Sequence, residues 1–110
     1  MSVMENLLTR YPDLRAVFAT NDQMALGAVE AVAAHNLVGK VAVVGIDATH
    51  EAVRAVASGR LAADVAMFPE KLGGAAVEAA LKAARGEPLQ KRIDIGSSLV
   101  TKENAGEHLR

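Results

Sequence analysis

Polar side chains that could hold a ligand follow two short apolar runs of this chain. In ATNDQMALG, residues 19 to 27, Asn21 and Asp22 stand where the apolar run AVFA gives way to an alanine-rich run, and Asp47 directly follows VAVVGI. An amide both donates and accepts hydrogen bonds, whereas a carboxylate accepts them, so the three groups could bind a small polar molecule. Short polar residues at these places also cap helices and suit the helix dipole. Capping and ligand contact are compatible, and both remain open.

Signatures of catalysis and metal binding are missing from the sequence. The chain has no cysteine, and its three histidines, His35, His50 and His108, share no spacing suited to a metal. The nucleophile elbow, the dinucleotide fingerprint and the P-loop are absent. Asp47 could serve as a base or phospho-acceptor, but no acidic cluster accompanies it to hold magnesium. We therefore expect a binding protein without catalytic residues, metal site or cofactor, and a small α/β enzyme is the weaker reading.

The composition of the chain limits the remaining classes of function. The 110 residues carry a net charge of -1 and are 51 % apolar, which is typical of one small globular domain. With no basic patch, nucleic-acid binding is not expected. The chain has no run of about 18 apolar residues, and its start, MSVMENLLTR, lacks a basic region and an apolar region of the signal-peptide type. As written, the chain is expected to be soluble and cytoplasmic.

Apolar periodicity predicts alternating helices and strands. A capping box, Thr20-x-x-Gln23, and the end signals Asn36 and Gly39 frame the second helix. The predicted helices cover residues 4 to 11, 22 to 36, 49 to 58 and 70 to 85, with a frayed helix at 103 to 109. The predicted strands cover residues 14 to 20, 41 to 46 and 61 to 68, followed by an exposed strand RIDIG and a second extended piece.

This order predicts an α/β fold with three layers, α/β/α, around a mainly parallel sheet of about four strands. Parallel strands need helical crossovers, which place helices on both faces of the sheet. Ligands bind such sheets outside the carboxyl ends of the strands. Asn21, Asp22 and Asp47 are all predicted at that edge, as is Met67 at the end of the third strand, where core packing or a pocket wall is its plainer role.

Three segments together resemble a known family. The segments are AVFATNDQMALGAVEAV, VAVVGIDAT and AVRAVASGRLAADVAMFPEKLGGAAVEAALKAARGE. They are similar to the carboxyl-terminal portion of type I periplasmic sugar-binding proteins, the ribose-binding group in particular. The same architecture serves as the effector domain of LacI-type repressors. The resemblance implies a partial lobe of a periplasmic binding protein-like fold, in which two lobes close on a sugar.

The resemblance also implies roles for single residues. Asn21 would hydrogen-bond sugar hydroxyls, and Asp47 would accept from others. The family has a hinge glutamine two residues before the proline that follows the third strand, and here that position is Met67. A thioether cannot replace an amide that both donates and accepts, so a solute other than ribose is expected.

Between the two branches of the family, the transport branch fits better. LVGKVAVVGIDAT and SGRLAADVAMFPEKLGG resemble exported solute receptors more than repressors, whose effector domains are the alternative. The parent protein would be periplasmic or lipid-anchored and would deliver its sugar, expected to be a monosaccharide, to an ABC permease. Residues 1–68 would belong to the second lobe. Residues 69–110 would contain the hinge, a crossover helix and terminal strands that pack partly on the first lobe.

The resemblance covers only about half of such a two-lobed clamp, so we expect the chain to be a fragment. Its sheet would keep an exposed edge and its helices an uncovered face, which favours a homo-oligomer. With one jaw of the clamp, sugar binding would be weak.

Overall fold

The computed structural model describes residues 1–110, in which five helices alternate with four strands. The helices are α1 (Ser2–Arg10), α2 (Asp22–Ala34), α3 (His50–Ala57), α4 (Pro69–Ala84) and α5 (Ala105–His108). The strands are β1 (Ala16–Phe18), β2 (Ala42–Asp47), β3 (Ala63–Ala66) and β4 (Ser98–Val100). All four long helices and the first three strands coincide with predicted segments. None of the helices has the length and hydropathy needed to cross a bilayer.

The strands form one sheet in the order β1-β2-β3-β4. The first three are mutually parallel, and β4 is antiparallel to β3. The predicted α/β class with a mainly parallel sheet of four strands is thus confirmed.

The predicted strand RIDIG, residues 92–96, is wrong, because only the following piece enters the sheet. Asp94 and Gly96 form a turn here instead. The Gly96 N–H donates to Asp94 Oδ1 over 2.8 Å, and Gly96 has a φ of 79°, a conformation that glycine adopts without strain. This local turn competes with an extended conformation, and the chain joins the sheet only at Ser98.

The chain divides into two compact units. Unit 1 comprises residues 1–66 and 98–110, and unit 2 comprises residues 67–97. The sequence predicted one boundary, between residues 68 and 69, whereas the first boundary of the structure lies between residues 66 and 67. The sequence-based division also grouped residues 98–110 with the crossover helix. Pairing of β4 with β3 brings residues 98–110 into unit 1. Packing of residues 69–97 on another lobe stays a prediction.

The helices of unit 1 form a single layer. α1 packs on α2, α2 on α3 and α3 on α5. In β2, Val43 and Gly45 are buried, whereas Val44 and Ile46 on the opposite face are partly exposed, and β3 alternates in the same way. β1, β2 and β3 follow one another across the sheet in chain order, so their right-handed crossover helices all lie on the same face of the sheet. The expected arrangement has three layers, and unit 1 contains the sheet and one of its two helical layers.

The core lies between this helical layer and the sheet and is built from small residues. Its largest fully buried apolar side chains are Val29, Val43, Val53, Val56, Leu61 and Val100. Alanines of α2 and α3 fill the remaining contacts, which lets the helices approach the sheet closely. Two carboxylates, Asp22 and Asp64, are buried in the same core.

Unit 2 consists of α4 and the chain that follows it. Pro69 is at the first turn of α4, where its missing N–H is not needed. None of the residues of α4 is buried, although Leu72 and the alanines form the apolar stripe expected from the sequence. The Lys71 ammonium lies 4.7 Å from the ring centroid of Phe68, within the range of a cation–π contact.

Candidate functional site

Asn21 is the N-cap of α2. Its φ of -157° is extended, and its side-chain Oδ1 accepts a hydrogen bond of 2.9 Å from the Met24 N–H. The predicted capping box on Thr20 is therefore wrong by one residue. Because Oδ1 is used inside the chain, the amide Nδ2 of Asn21 is the group that can donate to a ligand.

Asp22 follows in the first turn of α2 but does not cap that helix. Its side chain is buried, with 1 % of its surface exposed, and its Oδ2 accepts from the Thr49 N–H over 2.7 Å. The carboxylate thus connects the start of α2 to the turn between β2 and α3. This role differs from the direct ligand contact that the sequence suggested for Asp22, because a fully buried carboxylate does not face a solute.

Asp47 is the last residue of β2, and its side chain is exposed. The N-cap of α3 is Thr49, whose Oγ1 accepts from the Ala52 N–H over 3.3 Å, so Asp47 does not cap that helix. Asp47 has a φ of 125° and Ala48 a φ of 55°. Such angles cost roughly 1–3 kcal/mol each in residues other than glycine, and they persist only where surrounding contacts impose them.

Asn21 and Asp47 lie at the same edge of the sheet. β1 and β2 are parallel, with Phe18 beside Val44, and the Ala19 N–H continues the ladder by donating to the Val44 carbonyl over 2.9 Å. Three residues further along each chain are Asn21 and Asp47. The bond from Thr49 to Asp22 joins the two segments directly beyond the sheet. Two of the sequence-predicted groups, an amide and a carboxylate, therefore lie at the same edge of the sheet.

Met67 follows β3 directly and is the first residue of unit 2. Its side chain is 42 % exposed. β3 ends at Ala66, which pairs with Asp47, so Met67 comes directly after the third strand. Its contact with a solute stays a prediction.

Sequence reasoning missed Asp64, which lies in β3 and is completely buried. The pKa of Asp64 is raised from 3.8 to about 7, first by desolvation on burial and then by its interaction with the neighbouring Asp22 carboxylate. Backbone N–H groups of Val65 and Ala48 oppose this shift, the first over 2.7 Å. A signal was present in the sequence: an aspartate within LAADVA interrupts a predicted buried strand.

Gly45, the glycine of VVGID, provides the space for these carboxylates. A Cβ atom at this position would lie 2.8 Å from Asp22 Oδ1, 3.0 Å from Ala25 Cβ and 3.5 Å from Asp64 Oδ1. The first distance is shorter than real Cβ contacts allow. The glycine is therefore required for packing and not for an unusual backbone angle.

An apolar groove lies beside the start of α2. It has a volume of about 330 Å³, and Phe18, Thr20 and Met24 contribute to its wall. Elsewhere, no group of three or more histidine or acidic side chains is arranged to hold a metal ion. The chemistry available at the edge is thus hydrogen bonding by Asn21 and Asp47.

The chain is similar to known proteins over most of its length. Residues 1–88 match the family described as periplasmic binding protein domain. The ribose import binding protein of Escherichia coli (strain K12) is 45 % identical over 105 residues, which cover 94 % of this chain and 34 % of that protein. The chain thus spans about a third of the length of the curated relatives it matches.

Solved structures agree on the fold. An ABC transporter solute binding protein from Mycobacterium smegmatis with bound glycerol has a TM-score of 0.85 at 41 % identity, covering 96 % of this chain and 37 % of that one. A solute binding protein from Bacillus halodurans C-125 with bound myo-inositol has a TM-score of 0.81 at 39 % identity, covering 98 % and 37 %. In each, the similarity extends over nearly all of this chain.

Proposed function

We propose a solute-receptor function for this chain, which belongs to the periplasmic binding protein domain family. The relatives named above bind ribose, glycerol or myo-inositol, all of which are polyhydroxylated. A non-catalytic receptor for a monosaccharide or polyol, acting in the periplasm with an ABC permease, is the function of the whole protein that this similarity supports. The chain contributes the part of the binding clamp that carries Asn21 and Asp47.

One observation carries the assignment of the site: the hydrogen bond between Thr49 and Asp22 ties the two ligand-facing segments together. Asn21 Nδ2 would donate to a ring or hydroxyl oxygen, and the Asp47 carboxylate would accept from hydroxyl groups. A donor beside an acceptor matches a pair of neighbouring hydroxyls, each of which can take either part.

Met67 is proposed to select among polyhydroxylated solutes. Its side chain offers an apolar surface and a weakly accepting sulfur, with no donor. A solute hydroxyl next to it would lose its hydrogen bond to water without replacement, which disfavours binding. We therefore propose a solute that presents a carbon–hydrogen face at this position, such as a deoxy sugar or one face of a cyclic polyol.

Binding by this chain alone is expected to be weak. Two or three hydrogen bonds contribute about 2 to 6 kcal/mol, and association costs about 4 kcal/mol or more. At most about 2 kcal/mol remains, which corresponds to a dissociation constant of roughly 30 mM. Micromolar affinity measured by calorimetry would contradict the assignment of a half-site.

Titration with ribose and myo-inositol, followed by amide NMR shifts, tests the site. We expect the shifts to concentrate at residues 20–22 and 47–49. Asn21→Ser keeps a capping oxygen but removes the amide, and Asp47→Asn removes the charge, so both should weaken binding by about fivefold or more. Asp13→Asn, at an exposed carboxylate away from this edge, is the matched control. Shifts confined to another surface would refute the site.

Self-association is proposed for the uncovered face of the sheet. On this face Phe18, 61 % exposed, lies beside Val44, and Leu99, 56 % exposed, lies beside Val65. The outer edges of β1 and β4 have no neighbouring strand. With a net charge of only -1, two copies repel one another weakly, so a second copy is the proposed cover.

Sedimentation at micromolar concentrations tests this proposal. Phe18→Lys should shift the equilibrium toward the monomer, because a charge would be buried in the interface. Val38→Lys changes an equally exposed valine outside the sheet and serves as the control. A wild-type chain that sediments as a monomer throughout would exclude association through this face.

A further inference from the structure

We infer that Asp22 and Asp64 share a single proton and act together as positioning residues for the turn that presents Asp47. The turn comprises residues 47–49. The inference rests on the proposed function only where it concerns ligand affinity. Its structural part depends on the two carboxylates and the turn alone.

The two carboxylates leave buried oxygens without hydrogen-bond partners. Asp22 and Asp64 are buried, with an oxygen of each lying beside Gly45, and Asp22 Oδ1 and Asp64 Oδ2 have no hydrogen-bond partner. A buried oxygen without a donor is costly, and two adjacent carboxylates repel. One proton between the two side chains gives a donor to one oxygen and removes one charge, so it resolves both problems.

The surroundings offer no other compensation. Neither carboxylate takes part in an ion pair with lysine or arginine, and Asp22 is the charged group that acts on Asp64. From β2 the pair faces Gly45, which has no side chain, and from α2 it faces the methyl group of Ala25. From the turn it meets only backbone N–H groups. The charge on the pair is therefore set by its own protonation.

The pair of carboxylates lies under the turn formed by residues 47–49. Asp22 Oδ2 accepts from Thr49 over 2.7 Å, and the Ala48 N–H acts on the Asp64 carboxylate. These are the residues adjoining the positive φ angles of Asp47 and Ala48. Strained angles persist where contacts impose them, and here the contacts come from the pair.

The shared proton consequently sets the geometry of Asp47. While the proton is bound, the side chains of Asp22 and Asp64 stay together and both hold the turn. After it dissociates, two negative charges in a buried site separate, and at least one bond to the turn is lengthened or lost. Asp47 then leaves the position beside Asn21, and affinity for the solute falls although neither ligand-facing group has changed its charge.

Carbon-13 NMR of the aspartate carboxyl groups tests the inference without a ligand. Between about pH 5 and about pH 8 we expect one proton to dissociate from the pair, accompanied by shifts in the Ala48 and Thr49 amides. Two carboxyl groups that are both ionised at pH 5 would overturn the inference. So would a titration near neutrality that leaves these amides unmoved.

Asp64→Asn supplies the matched variant, because its amide can donate to Asp22 Oδ1 permanently. Its Ala48 and Thr49 amides should not respond to pH in this range, and a retained response would overturn the inference. For the wild type, solute affinity should fall by about fivefold over the same range, the effect of one hydrogen bond, and it should stay constant in Asp64→Asn. If no solute binds at any pH, the proposed function is refuted. The carboxyl and amide titrations would still show whether Asp22 and Asp64 share a proton.

Discussion

Replacement of Asp64 by asparagine should remove a pH dependence from the stability of the chain. In the wild type, burial raises the pKa of Asp64 from 3.8 to about 7. The folded state therefore holds a proton that the unfolded state releases at a lower pH. Its contribution to the free energy of unfolding is fully present below pH 3.8 and is lost as the pH rises to about 7.

The magnitude follows from the linkage between proton binding and folding. Each pH unit between the two pKa values changes the free energy of unfolding by about 1.4 kcal/mol. From about pH 5 to about pH 7 the wild type should therefore lose roughly 2 to 3 kcal/mol. Above about pH 8 the Asp64 carboxyl is ionised in both the folded and the unfolded state, and this contribution changes no further.

Urea denaturation at a series of pH values measures this loss. The free energy of unfolding should decrease for the wild type relative to Asp64→Asn by roughly 2 to 3 kcal/mol between about pH 5 and about pH 8. Comparison with the variant removes the contributions of the titrating groups outside the pair, which the two proteins share. Asp13→Asn, which changes an exposed carboxylate, should follow the wild type.

A parallel pair of stability curves for the wild type and Asp64→Asn would refute the reasoning. It would mean that Asp64 is ionised at pH 5 in the folded state, with its charge compensated in a way that the contacts do not show. The constant difference in the free energy of unfolding between two such parallel curves would reflect packing alone.

Three further predictions concern the space at Gly45, the cap of α2 and the packing of the core. Gly45→Ala should destabilise the fold by about 1–3 kcal/mol, because the added Cβ would lie 2.8 Å from Asp22 Oδ1. Gly73→Ala adds a Cβ on the open surface of α4 and should instead stabilise the fold by about 0.5–1 kcal/mol, as measured by thermal denaturation. Asn21→Ala should cost about 1 kcal/mol through loss of the α2 cap, and Asn21→Ser should restore most of it. Leu61→Ala should cost about 2–5 kcal/mol in urea denaturation, since Leu61 is 1 % exposed and leaves a cavity; a loss below this range would mean that the core collapses around the smaller side chain.

The sequence by itself determined the long helices, the first three strands and the edge of the sheet at which Asn21 and Asp47 lie. Apolar runs such as VAVVGI predict buried strands, because a parallel strand covered by helices is apolar over much of its length. The alternation of such runs with helical stripes predicts parallel pairing, and parallel pairing puts strand ends at one edge. For this reason Asn21 and Asp47 could be assigned to the same edge from their order in the chain.

Features that depend on competition between local alternatives could not be predicted in this way. Thr20 and Asn21 are both good N-caps, and the φ and ψ angles at the end of β1 decide which side chain reaches the Met24 N–H. RIDIG alternates as a strand does, but the turn between Asp94 and Gly96 uses the same residues.

Only the tertiary structure decided the role of the two buried carboxylates. Asp22 and Asp64 are 42 positions apart in the sequence, and nothing local connects them. Their contact requires that α2 packs over β2 and that β3 pairs beside it, with Gly45 leaving room between them. Sequence periodicity shows which residues share a face of one element. The distance between side chains of different elements, and hence the pKa of a buried group, is set by how closely those elements pack.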